Sequence, residues 1–160
     1  MKIAIGCDHS ALEMKEMLIP YLKSLGHAII DQGCFTKESC DYTDYGYQVA
    51  KAISDNAVDR GIVICSTGIG MSIIANKVEG VRCALVLSKD AAVLTREHND
   101  SNCLALSAKY TGFALAREIV ALWLDTPFSN NSRHQRRIKK ITDYEKEGKD
   151  GSHHTQSFAD

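Results

Sequence analysis

RGIVICSTGIGMSIIAN, residues 60–76, changes physical character within a dozen positions. Ile62, Val63 and Ile64 form an apolar β-branched run without polar alternation, the pattern of a strand buried on both faces in a parallel sheet. Cys65 ends the run, residues 66–70 (STGIG) form a small glycine-containing turn, and residues 71–75 open a helix. A strand, turn and helix in this order aim backbone N–H groups and the positive end of a helix dipole at whatever lies ahead, so the turn is a cradle for an anion. A thiol at the mouth of that cradle stands in a field that favours thiolate, the form of cysteine that acts as a base or nucleophile.

The commoner phosphate loops are excluded at single positions. Ile73 occupies the place of the third glycine of a dinucleotide fingerprint, and no Gly-Lys-Ser/Thr follows as in a P-loop. A cysteine phosphatase needs an arginine six residues after its cysteine, where this chain has Met71. A cysteine after a buried strand also serves as a small apolar filler, and on this stretch alone both readings stand.

Outward from the central stretch, strand and helix patterns alternate. Residues 2–6 (KIAIG) read as a first strand, followed at once by Cys7-Asp8-His9-Ser10. Leu18, Tyr21, Leu22 and Leu25 recur at helical spacing and Gly26 supplies the stop, although Pro20 weakens the helix. Residues 28–31 are a second strand, leading through a polar loop to Cys40-Asp41-Tyr42, and a helix is expected over residues 45–54 with Val49, Ala52 and Ile53 inward. Beyond the centre, residues 82–87 read as a fourth strand, with Ser88 capping a helix over 89–97 that runs into His98-Asn99-Asp100. Residues 103–106 are a fifth strand, and 112–124 a helix with Leu115, Ile119 and Leu122 in register. Ser132 is read as the cap of a last helix that places Arg133, Arg137 and Lys140 on one face.

Five alternations predict an α/β protein with a three-layer α/β/α Rossmann-like fold, a five-stranded parallel sheet and right-handed crossovers. Ligands in such sheets sit at the carboxyl ends of the strands, where strand order reverses. Asp8-His9, Asp41-Tyr42 and Cys65-Ser66-Thr67 each follow a strand and should gather at that edge, whereas His98 precedes strand five and belongs to the opposite end. Such a residue is structural or serves a neighbouring subunit.

The chain has 160 residues, 44% of them hydrophobic, enough for one core and too few for two. A single domain is expected over 1–147, with a polar, disordered tail over 148–160. The net charge of −1 gives no global field for nucleic acid or membrane, and no apolar run approaches the ~20 residues of a membrane span. No charged, then apolar, leader opens the sequence, so the six cysteines are expected to be reduced thiols of a cytoplasmic protein. No Cys-x-x-Cys or paired-histidine spacing marks a structural zinc site.

Six short motifs in this order and spacing resemble one family: GCDH at 6–9, DY at 41–42, IC-x-TG-x-G at 64–70, NK at 76–77, HND-x-N at 98–102 and RHQ-x-R at 133–137. The chain is similar over residues 1–147 to the type-B ribose-5-phosphate isomerases, within a wider group that includes galactose-6-phosphate and allose-6-phosphate isomerases. The resemblance implies interconversion of D-ribose 5-phosphate and D-ribulose 5-phosphate in the non-oxidative pentose phosphate pathway, with no metal or organic cofactor.

It implies further that Cys65 moves a proton between C2 and C1, that Thr67 assists at the sugar oxygens, and that the N–H groups of Ser66 to Gly70, Gly68 among them, hold the enediolate oxygen. His98 would open the furanose, with Asp8 on the ring-oxygen side; His9, Arg133 and Arg137 would hold the phosphate; Asn99 and Tyr42 would contact the sugar. In the family, the His-Asn pair and the arginine helix come from the second subunit of a homodimer or dimer of dimers. The chemistry is coherent on its own terms, since proton removal next to a carbonyl needs a base and fixed donors for the oxyanion.

Three positions depart from the family pattern. Ser66 replaces a glycine, Thr43 a proline, and Lys109 an arginine near the phosphate, where lysine acts as a point charge rather than a fork. Allose 6-phosphate and galactose 6-phosphate are therefore alternative substrates, a non-catalytic phosphosugar-binding protein is an alternative role, and a metal site of Cys7, Asp8, His9 and Cys65 is a third, which the resemblance argues against.

Overall fold

The computed structural model describes residues 1–150. β-branched and small apolar residues form its five strands: β1 (Lys2–Cys7), β2 (Ala28–Asp31), β3 (Arg60–Cys65), β4 (Cys83–Leu85) and β5 (Cys103–Ser107). All pairings are parallel, in the order β2-β1-β3-β5-β4. The chain leaves β1 toward one edge and returns through β3 on the other side, so the crevice where strand order reverses opens between β1 and β3. The expected fold class is therefore observed, with helices on both faces of one sheet.

The sheet faces bury different sets. Ile3, Ile5, Ile62, Ile64, Leu104 and Leu106 pack beneath α1 (Leu12–Ser24), α4 (Lys89–Asn99) and α5 (Phe113–Asp125). Ala4, Val63, Cys65 and Ala105 face α2 (Tyr42–Ser54) and α3 (Ile69–Ala75). Glycine permits the closest approach on this second side: a Cβ at Gly46 would lie 2.6 Å from Ile74 Cγ2, and one at Gly61 2.6 Å from Val49 Cγ1. α6 (Ser132–Asp150) packs against α4.

Several boundaries differ from the sequence reading. α1 runs through Pro20, which lies on its exposed side, and closes at Gly26 (φ +85°) as expected, with N–H bonds from Gly26 to Lys23 O and from His27 to Leu22 O. α2 begins at Tyr42, three residues early, because Asp41 takes an extended cap conformation and the first turn is polar; Tyr42 is a helical residue rather than a loop residue. β4 is three residues long instead of six, an edge strand whose preceding Arg82 bonds to Asn99 O and Asp100 O. α5 buries Ala116, Ile119, Val120 and Trp123, so its inward face lies beside Leu115 and Leu122, which are half-buried. The last helix is capped by Asn131, whose Oδ1 accepts from Arg133 N at 3.0 Å, rather than by Ser132. It extends through Asp150, beyond the expected boundary at 147; the remainder of the expected tail, 151–160, lies outside the described residues.

Candidate active site

The parallel register fixes the first half of the site. Cys7 stands opposite Ile64 and Asp8 N donates to Ile64 O (3.1 Å), so Asp8 leaves β1 beside Cys65 as it leaves β3. On the other side Cys65 pairs with Ser107 at the end of β5. The Cys65 and Ser66 carbonyls are taken up by Ala108 N (3.0 Å), Lys109 N (2.9 Å) and Ser107 Oγ (2.7 Å). These bonds hold the turn in place and bring Lys109 to the same edge.

Within the turn, Gly68 is left-handed (φ +75°) and its N–H points at Cys65 Sγ, 3.1 Å away. Such a donor stabilises charge on sulfur. Cys65 itself is 5% exposed and lies at the mouth of the β1/β3 crevice. A side chain is excluded at Gly68, where a Cβ would meet Leu85 Cδ1 at 2.5 Å and Leu106 O at 2.9 Å. Thr67 Oγ1 accepts from Ile69 N at 3.3 Å, so the amides of Gly68 and Ile69 already have partners inside the turn. The Tyr42 ring closes over the far end: a Cβ at Gly70 would fall 2.6 Å from Tyr42 Cζ. Ser66 is half-buried at this edge.

Asp8 is 8% exposed and accepts from Ser10 N (3.0 Å) and Ser10 Oγ (2.6 Å), which orients its carboxylate. His9 starts a short 3₁₀ turn and accepts the Cys40 N–H at Nδ1 (3.2 Å), joining the β2–α2 loop to this edge. The four residues of the metal alternative do not come together. Cys7 belongs to the α1 side of the sheet, 3.9 Å from Cys34 Sγ, where burial raises its pKa; Cys65 belongs to the α2 side.

The remaining predicted residues lie elsewhere. His98 and Asn99 end α4, and the chain then passes through Asn102, whose carbonyl accepts from Gly61 N at the start of β3. Cys65 is four residues further along that strand, about 13 Å at ~3.3 Å per residue. Arg133 and Arg137 are exposed on α6, beside the same corner, where the His98 and His134 rings stack with centroids 4.4 Å apart. One chain thus brings together Asp8, His9, Tyr42, Cys65, Ser66, Thr67, Gly68, Gly70 and Lys109, and separately His98, Asn99, Arg133 and Arg137.

Sequence reasoning gave no role to three further residues. Ser107 buttresses the turn and was findable from its place at a strand's carboxyl end. Asn76 bonds Ser72 O, Cys83 O and Cys83 N, tying α3 to β4; it lay inside a quoted motif. His134, 5% exposed, also lay inside one.

Residues 3–141 match the model of the Ribose/Galactose Isomerase family. Ribose-5-phosphate isomerase B of Escherichia coli is 42% identical over 141 residues, covering 88% of this chain and 94% of that protein. The structure of Clostridium thermocellum ribose-5-phosphate isomerase B superposes with a TM-score of 0.90 at 45% identity, covering 92% of this chain and 99% of that one. That of Mycoplasma genitalium ribose-5-phosphate isomerase B, with bound ribulose-5-phosphate, gives 0.88 at 39% identity, covering 91% and 97%. This chain belongs to the Ribose/Galactose Isomerase family.

Proposed function

We propose that this protein interconverts D-ribose 5-phosphate and D-ribulose 5-phosphate through an enediolate, a step of the non-oxidative pentose phosphate pathway. The observation that carries the reading is the Cys65 thiol at the carboxyl end of β3, next to the β1/β3 switch point, with the Gly68 N–H aimed at its sulfur. Cys65 takes the proton from C2 and returns it to C1. Oxyanion charge is met by donors of the turn other than the Gly68 and Ile69 amides, which are bonded within it; one such donor is typically worth about 3 kcal/mol of barrier, and Thr67 assists at the sugar oxygens.

The second half of the site comes from a second copy of the chain. His98 opens the furanose, Asp8 stands on the ring-oxygen side, Asn99 and Tyr42 contact the sugar, and His9, Arg133, Arg137 and Lys109 receive the phosphate. The surface between the two halves suits such a partner. Ile69 and Ile73 on α3, Leu87 after β4 and Leu94 on α4 are 44–56% exposed around the short edge strand. Beside them a cavity of about 390 Å³ is lined by Asn76, Arg82, Cys83, Thr95, Asn99 and Ile141. Among the described residues no helix is long and apolar enough to cross a membrane. All six cysteines are free thiols, the state a reducing cytoplasm maintains, and we place the protein there.

The test is exchange of the C2 proton of ribose 5-phosphate with solvent, compared in the wild type and Cys65→Ala, with allose and galactose 6-phosphates as parallel substrates. Loss of exchange with retained phosphosugar binding is expected. Undiminished exchange in Cys65→Ala, or faster turnover of either hexose phosphate, overturns the reading.

A further inference from the structure

His134 lies between arginines 133 and 137 in sequence but points away from them in space: it is 5% exposed, and they are exposed. Its ring centre is 4.4 Å from that of His98, the planes inclined at 41°. Its Nδ1 is 2.8 Å from Ser129 Oγ, and Ser129 N donates to Glu97 O (3.3 Å) in the last turn of α4. The start of α6, the loop before it and the end of α4 thus close around one imidazole. Burial holds the His134 pKa below the ordinary histidine value, and His98 from α4 and Arg133 and Arg137 from α6 push the same way, against a smaller opposite effect of the Glu97 backbone.

We propose that His134 is a positioning residue for His98: a buried ring, anchored by Ser129, against which the exposed His98 imidazole is seated to take the proton released on ring opening. The proposal rests on the assignment of His98 to that step. There the anomeric O1–H proton passes to His98, C1=O1 forms as the C1–O4 bond breaks, and O4 takes up a proton from water on the side where Asp8 stands. Two imidazolium rings at this separation would repel each other. The exposed member is the one that substrate can reach. A flat neighbour also fixes the plane of an otherwise exposed side chain, and orientation of a base is part of its rate advantage.

The experiment measures kcat and KM for ribose 5-phosphate in the intact protein and in His134→Ala, His134→Phe, His98→Ala and the His98→Ala/His134→Ala double variant. His134→Ala is expected to lower kcat about tenfold with KM changed less than about threefold, and His98→Ala to lower kcat by about 10² or more. The double variant should match His98→Ala within about threefold, because a residue that acts only through another adds no loss once that other is gone. His134→Phe, which keeps the ring and its volume, should recover most of the kcat lost in His134→Ala. Multiplying losses in the double variant, an effect on KM alone, or no rescue by phenylalanine overturns the role of His134 while leaving that of His98 intact. Full kcat in His98→Ala instead removes the ring-opening assignment, and the proposal with it.

Discussion

The two halves of the candidate site are built by different means. The thiol corner is set by strand register: Asp8 N on Ile64 O, Cys65 opposite Ser107, and the Ser66 carbonyl held from two directions. Little there can move without moving the sheet. The histidine corner is made of side chains at helix ends, with exposed arginines on a helix whose described packing is against α4. On the proposed assignment, the C2–C1 proton transfer, which tolerates sub-ångström error poorly, falls where backbone bonds define position. Gripping a dianion tolerates more, and on the same assignment it falls to long side chains.

That contrast predicts a hierarchy of losses. Cys65→Ala should be the most severe, lowering kcat about 10³–10⁴-fold at nearly unchanged KM in a steady-state assay, since the base is lost and the grip retained. Arg137→Ala should do the reverse, raising KM about 10–100-fold with a smaller change in kcat, with only partial recovery in Arg137→Lys, because a point charge replaces a fork. If both variants lost kcat alone, the division of labour would be wrong.

Two glycines sharpen the comparison inside the thiol corner. Gly68→Ala forces a side chain into φ +75° and toward the Leu106 carbonyl, so thermal or denaturant unfolding should show a loss of about 1–3 kcal/mol as well as of activity. At Gly70 the obstacle is the Tyr42 ring, which is 39% exposed and free to swing outward. Gly70→Ala should therefore lower kcat/KM about tenfold with an unfolding change under about 1 kcal/mol.

The smallest effect belongs to the histidine corner. Because His134 has a depressed pKa in the folded protein, the unfolded chain takes the proton first on acidification. Its contribution to stability is complete above about pH 6.5 and is lost as pH falls through the lower folded value. Tm measured from pH 7.5 to 5.5 should fall more steeply in the wild type than in His134→Phe.

Much of this was legible in the order of residues. The buried run at 62–64 and the five alternations dictated the sheet, and Gly26 stopped α1 where a left-handed residue was needed. The carboxyl-edge rule gathered Asp8, Tyr42 and Cys65 correctly and separated His98 from them. What escaped was decided by partners distant in sequence. Lys15 looks like a surface residue on α1, yet it is 1% exposed, donating to Asp31 at 2.7 and 2.9 Å and to Cys34 O at 2.6 Å. No local pattern reveals that three acceptors converge on it. β4 was overestimated because an apolar edge segment and a strand read alike, and pairing on one side ended it at Leu85. The start of α2 was missed because its first turn is exposed and carries no apolar period.

The central claim, that one copy's thiol works with another copy's imidazole, is tested most directly by complementation. Cys65→Ala and His98→Ala chains, each nearly inactive alone, are mixed, unfolded together and refolded. Random pairing in a two-fold dimer gives half hybrids with one intact site of two, so about a quarter of wild-type activity should return. Recovery no greater than the sum of the separate variants would contradict the shared site.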